Sequence, residues 1–434
     1  PNYTFKVAKF KGSPDGFDRE IWGVNDQLPG PTIHAKEGEK IRIKVISDLG
    51  TAPTSIHWHG MHQPGTWQMD GVANVSRPPI PTGESFTYAY EVTPAGTHWY
   101  HSHTGVQYGD GIFGPLIIAE KEPIARYDRD QILMINDWFH KSGDVLLEDL
   151  KQGKFLTGKK PTKEEFGDIP FDSGLINGKG RGPGGKGPLT IIEVEKGEKI
   201  RLRIINASST YALRFQVDQH PLTVIASDGP AVEPVKVDNL NLAIGERFDA
   251  LLEADQEGVH WIRAVTGDGN EIRAVLRYKG SKKDEPEESP VKWGEKALTL
   301  ADLRSRQPVK LDPKPRESTY VLGGTMKPYR WNINKQFFPE ADPIELAKDE
   351  HVRFVLKNET MMDHPFHLHG HSFYVLGKSD SLNVKDPPLK DTIAVPAKGD
   401  MVIQWVARNP GHWFFHCHIE WHLATGMARV IKIQ

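Results

Sequence analysis

The chain repeats itself three times, which restricts it to a serial arrangement of like domains. The segment Glu37-Gly38-Glu39-Lys40-Ile41-Arg42-Ile43-Lys44-Val45 returns as Lys196-Gly197-Glu198-Lys199-Ile200-Arg201-Leu202-Arg203-Ile204. It returns again as Lys348-Asp349-Glu350-His351-Val352-Arg353-Phe354-Val355-Leu356. Each copy is a turn followed by alternating apolar and charged residues, the pattern of a half-buried strand. A second element recurs in the same order. Gly83-Glu84-Ser85-Phe86 precedes Gly96-Thr97-His98-Trp99-Tyr100, and Gly245-Glu246-Arg247-Phe248 precedes Gly258-Val259-His260-Trp261-Ile262. In the third copy Gly399-Asp400 precedes Gly411-His412-Trp413-Phe414-Phe415. The repeat length, roughly 150 residues, is that of one β-sandwich with insertions.

Glycine turns, prolines and aromatic or β-branched runs mark an all-β chain. Helix is expected only in short pieces, over 145–151 and 298–305. The charged, Pro-bearing stretch 279–290 and a seam near 120–127 divide the 434 residues into units 1–125, 126–288 and 289–434. The Gly/Pro/Lys-rich stretch 178–188 reads as a surface loop inside the middle unit.

Lys+Arg number 54 against 57 Asp+Glu, for a net charge of −3. That balance leaves no electrostatic footprint for nucleic acid or an anionic lipid surface. No apolar run approaches the ~18 residues of a membrane-spanning helix. A single Cys excludes an internal disulfide framework. Residue 1 is Pro rather than Met, so a processed chain whose signal peptide has been removed is expected. The anomaly left to explain is the count of 19 His.

Their placement is patterned. The first copy holds His57-Trp58-His59 and His101-Ser102-His103. The third holds His364-Pro365-Phe366-His367-Leu368-His369 and His416-Cys417-His418, followed by His422 and Met427. Aligning residues 96–103 on 411–418 without a gap sets His101 on His416, His103 on His418 and Ser102 on Cys417. The middle copy has Arg263-Ala264-Val265 there, so it lacks the donors.

On a strand, residues i and i+2 share a face while the residue between them points the other way. His416 and His418 therefore face one site and the Cys417 thiolate a second, joining two metal centres through one strand. Cys417, His364 and His422, with Met427 as a weak axial thioether, compose the blue-copper donor set. Zinc is the alternative for Cys/His donors, but structural zinc sites use C-x-x-C or H-x₃₋₅-H spacings that the His-x-His pairs do not follow. The eight remaining donors are His57, His59, His101, His103, His367, His369, His416 and His418. They suit three coppers, held as two three-His sites and one two-His site, with positions open to O2. The other nine histidines read as non-ligands. Among them His98 and His260 share a repeat position and read as packing residues, while His62 and His371 are candidates for orienting the ligands close to them in sequence.

On these motifs the chain resembles a three-domain multicopper oxidase, the family of laccases, ascorbate oxidases and ferroxidases. His-Trp-His-Gly (57–60), His-Ser-His (101–103), His-Pro-Phe-His-Leu-His-Gly (364–370) and His-Cys-His-x₃-His-x₄-Met (416–427) carry the resemblance, which covers essentially the whole chain. It implies three consecutive cupredoxin-like Greek-key β-sandwiches, the first and third sharing the trinuclear ligands and the middle holding none. It also implies four copper ions. The type 1 copper would take His364, Cys417, His422 and Met427, and the type 2 copper His57 and His367. One type 3 copper would take His59, His101 and His418, the other His103, His369 and His416. Asp70, in Trp67-Gln68-Met69-Asp70-Gly71, and Glu420, in His418-Ile419-Glu420-Trp421-His422, match carboxylates that family members keep near the cluster. Both are candidate general acids for the protons consumed as O2 becomes water. Cys417 is the residue expected to pass electrons from substrate towards oxygen. Asp110 reads instead as a turn residue.

A laccase-like activity is expected: one-electron oxidation of phenols or aromatic amines at the type 1 copper, coupled to four-electron reduction of O2 to water. Its partners would be a small reducing substrate and O2. The alternative is a metal-ion oxidase. Eight Met and no Met-rich insert argue against a cuprous site, whereas Asp363 and Glu359, near His364 in sequence, keep Fe(II) oxidation open. A copper-binding electron carrier without turnover would leave the trinuclear set without a purpose. Laccases often place a proton-accepting acid in the middle domain, and alignment through Asn206-Ala207-Ser208-Ser209-Thr210 puts Thr210 there, so the substrate base is unassigned. An axial Met implies a modest type 1 potential beside relatives with Phe or Leu. The resemblance further implies an extracellular or periplasmic location, where copper is handled. The sequons at Asn2, Asn74, Asn206 and Asn358 are of a kind common by chance.

Overall fold

The computed structural model describes residues 1–155 and 169–434. Six sheets pack as three sandwiches, each around its own apolar cluster. The first joins two four-stranded sheets, and the middle and third each join a six-stranded to a five-stranded sheet.

The repeated segments occupy one topological position. Strands Lys40–Asp48, Lys199–Asn206 and His351–Asn358 each run parallel to the strand that opens their sandwich: Asn2–Gly12, Arg129–Trp138 or Arg316–Met326. Each runs antiparallel to Ser85–Glu91, Arg247–Glu253 or Asp400–Val406 on its other side. In Lys40–Asp48 the alternation turns Ile41, Ile43 and Val45 inward, each burial contributing roughly 1.5–3 kcal/mol. Lys199–Asn206 is buried almost throughout, because both of its faces are covered. Arg203 Nη1 donates to Thr97 Oγ1 of the first sandwich at 2.9 Å, and Arg201 Nε to Asp249 at 2.9 Å.

Among the described residues α-helix is confined to Gly143–Lys151 and Glu420–Ala424. The first begins two residues earlier than the sequence pattern predicts, at Gly143, whose N–H donates to Asp110 Oδ2 at 3.0 Å. The helix expected over 298–305 shrinks to one 3₁₀ turn, Leu300–Asp302. Thr299 and Asp302 cap that turn reciprocally, and Leu303 then goes extended to bury in the middle core. The stretch 178–188 is a mostly exposed connection with one 3₁₀ turn, Pro183–Gly185. No described helix is long and apolar enough to cross a membrane.

Two strand pairs carry the histidine motifs. In the first sandwich Ile56–His59 lies antiparallel to Gly96–Ser102, with His57 opposite His101. In the third, His364–Leu368 lies between Gly411–Cys417 and Thr392–Val395, with His367 opposite both His416 and Thr392.

Candidate metal centre

The two strand pairs interlock through their imidazoles. His57 stacks on His369 with ring centroids 3.8 Å apart, and His59 stacks on His367 at 3.7 Å. Around these stacks His101, His103, His416 and His418 close one buried cluster between the first and third sandwiches. His416 Nε2 lies 2.9 Å from His369 Nε2 and 3.4 Å from His103 Nε2. His418 Nε2 lies 3.2 Å from His59 Nδ1, and the His101 ring is 5.2 Å from that of His418. The His57 and His367 rings are 5.8 Å apart.

Outer ring nitrogens are tied to oxygen acceptors, which sets the tautomers. His101 Nδ1 donates to the Ser102 carbonyl at 2.9 Å, and His416 Nδ1 to that of Cys417 at 2.8 Å, the same bond at the same repeat position. His57 Nδ1 donates to the Asp70 carbonyl at 2.9 Å and His367 Nδ1 to that of Asp391 at 2.8 Å. Burial first, and neighbouring imidazoles second, push His59, His101, His103, His369, His416 and His418 well below the ordinary histidine range. The rings are therefore neutral, with lone pairs directed inward. His57 Nε2, His101 Nε2 and His367 Nε2 are buried and have no hydrogen-bond partner among the described residues. Leaving such groups unpaired is costly, and neutral imidazole nitrogens are the donors that copper accepts. The residues fit the metal.

On the other face of Gly411–Cys417, Cys417 Sγ lies 3.6 Å from His364 Nδ1 and 3.7 Å from His422 Nδ1, which are 3.1 Å from each other. His364 Nε2 meets Thr360 Oγ1 at 2.7 Å, and Trp331 stacks on His422 at 3.9 Å. Met427 is fully buried beside this group: Cys417 N donates to its carbonyl at 3.1 Å, and its own N–H donates to the His422 carbonyl at 3.0 Å.

Both carboxylates singled out in the sequence are buried at this centre. Asp70 Oδ2 accepts from His369 Nδ1 at 2.7 Å. Glu420 accepts from the N–H groups of Tyr108 and Gly109, each at 3.2 Å. Burial, reinforced by the Asp110 charge, pushes the Glu420 carboxyl well above the usual range. Asp110 does more than turn the chain, since its buried carboxylate pairs with Arg19 and caps Gly143.

Other residues at the centre carry no sequence motif. Asp391 Oδ1 accepts from His59 Nε2 at 3.1 Å, and both Asp391 oxygens accept from Arg247 of the middle sandwich at 2.7 Å. The only sequence signal for Arg247 is that a cation replaces Ser85 and Met401 of the other copies. Of the remaining histidines, His98 and His260 each bond a carbonyl just upstream, those of Pro94 and Glu257, as their shared repeat position suggests. His371 Nδ1 donates to the His369 carbonyl at 3.3 Å, whereas His62 Nε2 meets Ser372 Oγ, which is not a motif residue.

A cavity of about 600 Å³ opens where the middle and third sandwiches meet. Thr210, Arg214, Glu246, Trp293, Met362 and Asp363 line it, beside the Pro365 that follows His364. Thr210 is turned to structural use, accepting from Trp421 Nε1 at 2.8 Å.

Three family models, each described as multicopper oxidase, match residues 6–123, 129–281 and 310–434. Laccase-1 of Agaricus bisporus is 34% identical over 99% of this chain and 89% of its own. Laccase-1 of Cryptococcus neoformans is 32% identical over 100% of this chain and 80% of its own. The crystal structure of the laccase from Botrytis aclada, 30% identical, superposes with a TM-score of 0.86 over 100% of this chain and 87% of that one. With the whole length matched in both sequence and fold, the chain belongs to the multicopper oxidase family, as a copper-binding, laccase-like oxidase of three cupredoxin domains.

Proposed function

We infer that four copper ions serve this activity. His364, Cys417, His422 and Met427 hold the type 1 ion, and His57 and His367 the type 2 ion. One type 3 ion is held by His59, His101 and His418, the other by His103, His369 and His416. The observation that carries this reading is the division of one strand end: Cys417 Sγ lies with His364 and His422, while His416 on the opposite face lies with His369 and His103. Bound copper supplies one-electron oxidation of the reductant and four-electron reduction of O2 to water.

The protein's own part is geometric and protonic. Cys417 joins both sites covalently, and its carbonyl orients His416. Asp70 Oδ1 is buried 3.1 Å from His57 Nδ1, whose own proton goes to the Asp70 carbonyl, so Oδ1 is the atom available to carry a proton to the cluster. Glu420, held between two backbone N–H groups, is the second acid. The 600 Å³ cavity receives the small reductant, an electron-rich phenol or aromatic amine, with Asp363 and Glu246 as the carboxylates on its wall. The units 1–125, 126–288 and 289–434 are the three domains, and the enzyme works outside the cytoplasm.

Oxygen-uptake kinetics with a phenol, Fe(II) and Cu(I) side by side test the substrate class. The largest kcat/KM is expected for the phenol. A metal ion with the largest value would make the enzyme a metal-ion oxidase, a reading that Asp363 on the cavity wall keeps in play.

A further inference from the structure

The middle sandwich has none of the histidine motifs, yet one of its side chains reaches the trinuclear cluster. Arg247 is fully buried, and its guanidinium has five N–H groups to place. Nε donates to the Thr97 carbonyl at 3.0 Å, and Nη1 to Asp391 Oδ1 at 2.7 Å and the Gly245 carbonyl at 3.1 Å. Nη2 donates to Asp391 Oδ2 at 2.7 Å and to the Asp228 carbonyl at 2.9 Å, and shares one of these two hydrogens with His98 Nδ1 at 3.1 Å. These acceptors come from all three sandwiches. His98 can accept because its other nitrogen donates to Pro94, and because burial followed by the Arg247 charge lowers its pKa to about 3.

The backbone makes room for this arrangement. A Cβ on Gly60, which has φ +95°, would come within 2.2 Å of His98 Nδ1 and 2.8 Å of Arg247 Nη2. One on Gly245, φ +86°, would press on His418 and His59 at 3.0 and 3.1 Å. The partner segment is held residue by residue. Lys390 Nζ donates to Ser227 Oγ at 2.6 Å and pairs with Asp228 and Glu246, while the N–H groups of Asp391 and Thr392 donate to Asp228 Oδ2 at 3.2 and 3.1 Å.

We propose that Arg247 is a positioning residue of the trinuclear site, locking one ligand from the first domain and one from the third through Asp391. The proposal rests on the assignment of His59 and His367 as copper ligands. Asp391 Oδ1 takes the proton of His59 Nε2, so that His59 presents Nδ1 to the cluster, and the Asp391 carbonyl takes the proton of His367 Nδ1. A fork donating to both carboxylate oxygens prevents Asp391 from rotating, and a lysine cannot reproduce it. The middle domain, without a ligand of its own, thereby completes the site.

The test compares the copper-loaded enzyme with Arg247→Lys. It reads copper retained per chain against a chelator and the paramagnetic signal of the type 2 ion, with the blue type 1 absorption as the control for folding. The blue band is expected to be unchanged, with trinuclear copper held about 10–100-fold more weakly and an altered type 2 signal. Retention and signal equal to wild type would overturn the proposal. Should Arg247→Lys not fold, Asp391→Asn, which keeps the size and removes the charge, decides by the same two readings. His59→Ala separates the two levels of inference: full trinuclear occupancy in that variant would overturn the ligand assignment itself.

Discussion

Asp70 Oδ2 lies 2.7 Å from His369 Nδ1, although 299 residues separate them in the chain. A carboxylate of the first domain thus orients a histidine of the third, while its own backbone carbonyl receives His57 Nδ1. Asp70→Ala removes both the orienting acceptor and the proposed acid. Reoxidation by O2 should slow by about 10–100-fold, while anaerobic bleaching of the type 1 band by substrate keeps its rate. Stopped-flow measurement of the two half-reactions checks this, and equal slowing of both would remove Asp70 from the oxygen side.

Cys417 is fully buried with two imidazoles against its sulfur. In Cys417→Ser the hydroxyl is a harder, weaker donor than a thiolate. The variant should fold but lack the blue absorption and oxidase turnover. A Cys417→Ser protein that stayed blue would place the type 1 copper elsewhere.

Trp331 is 3% exposed and lies nearly parallel to the His422 ring at 3.9 Å. Trp331→Ala should cost about 3–5 kcal/mol of stability, read by denaturant unfolding, and should shift the type 1 spectrum as His422 gains freedom to tilt. Trp331→Phe retains an aromatic face and should recover most of the spectrum. A full loss of stability with no spectral change would show that the ring fills space without orienting the ligand.

Asp137 accepts from the N–H groups of Ser209, Thr210 and Tyr211 at 2.9, 2.8 and 3.1 Å, yet burial outweighs these bonds and raises its pKa to about 6. The folded chain therefore holds this proton more tightly than the unfolded one, where the pKa is about 3.9. The stability it contributes is fully present below about pH 4 and is lost as pH rises through about 6. Asp137→Asn removes that titration. The stability difference between wild type and variant should fall by on the order of 3 kcal/mol from about pH 4 to pH 7. Denaturant curves at the two pH values check it, and a difference independent of pH would contradict the raised pKa.

Much of the fold was readable from local pattern. The alternation in residues 40–48 marks a half-buried strand whatever surrounds it, and its return in residues 199–206 and 351–358 indicates three sandwiches in series. Burial of Arg201 and Arg203 was not readable, because it depends on how the middle sandwich packs against its neighbours. The helix expected over 298–305 failed for a related reason, since Leu303 gains more by entering the middle core than by adding a helical turn.

The sequence by itself determined the class of fold and the set of candidate donors, because strand period and ligand chemistry are properties of short segments. It also separated the Cys417 face from the faces of His416 and His418, since neighbouring residues on a strand point opposite ways. Only the tertiary structure decided which imidazoles stack, that His59 presents Nδ1 rather than Nε2, and that Arg247 and Asp391 stand behind the cluster. Those relationships join residues 144 to more than 300 positions apart, across different sandwiches. Their geometry is set by domain packing, on which a local pattern of residues carries no information.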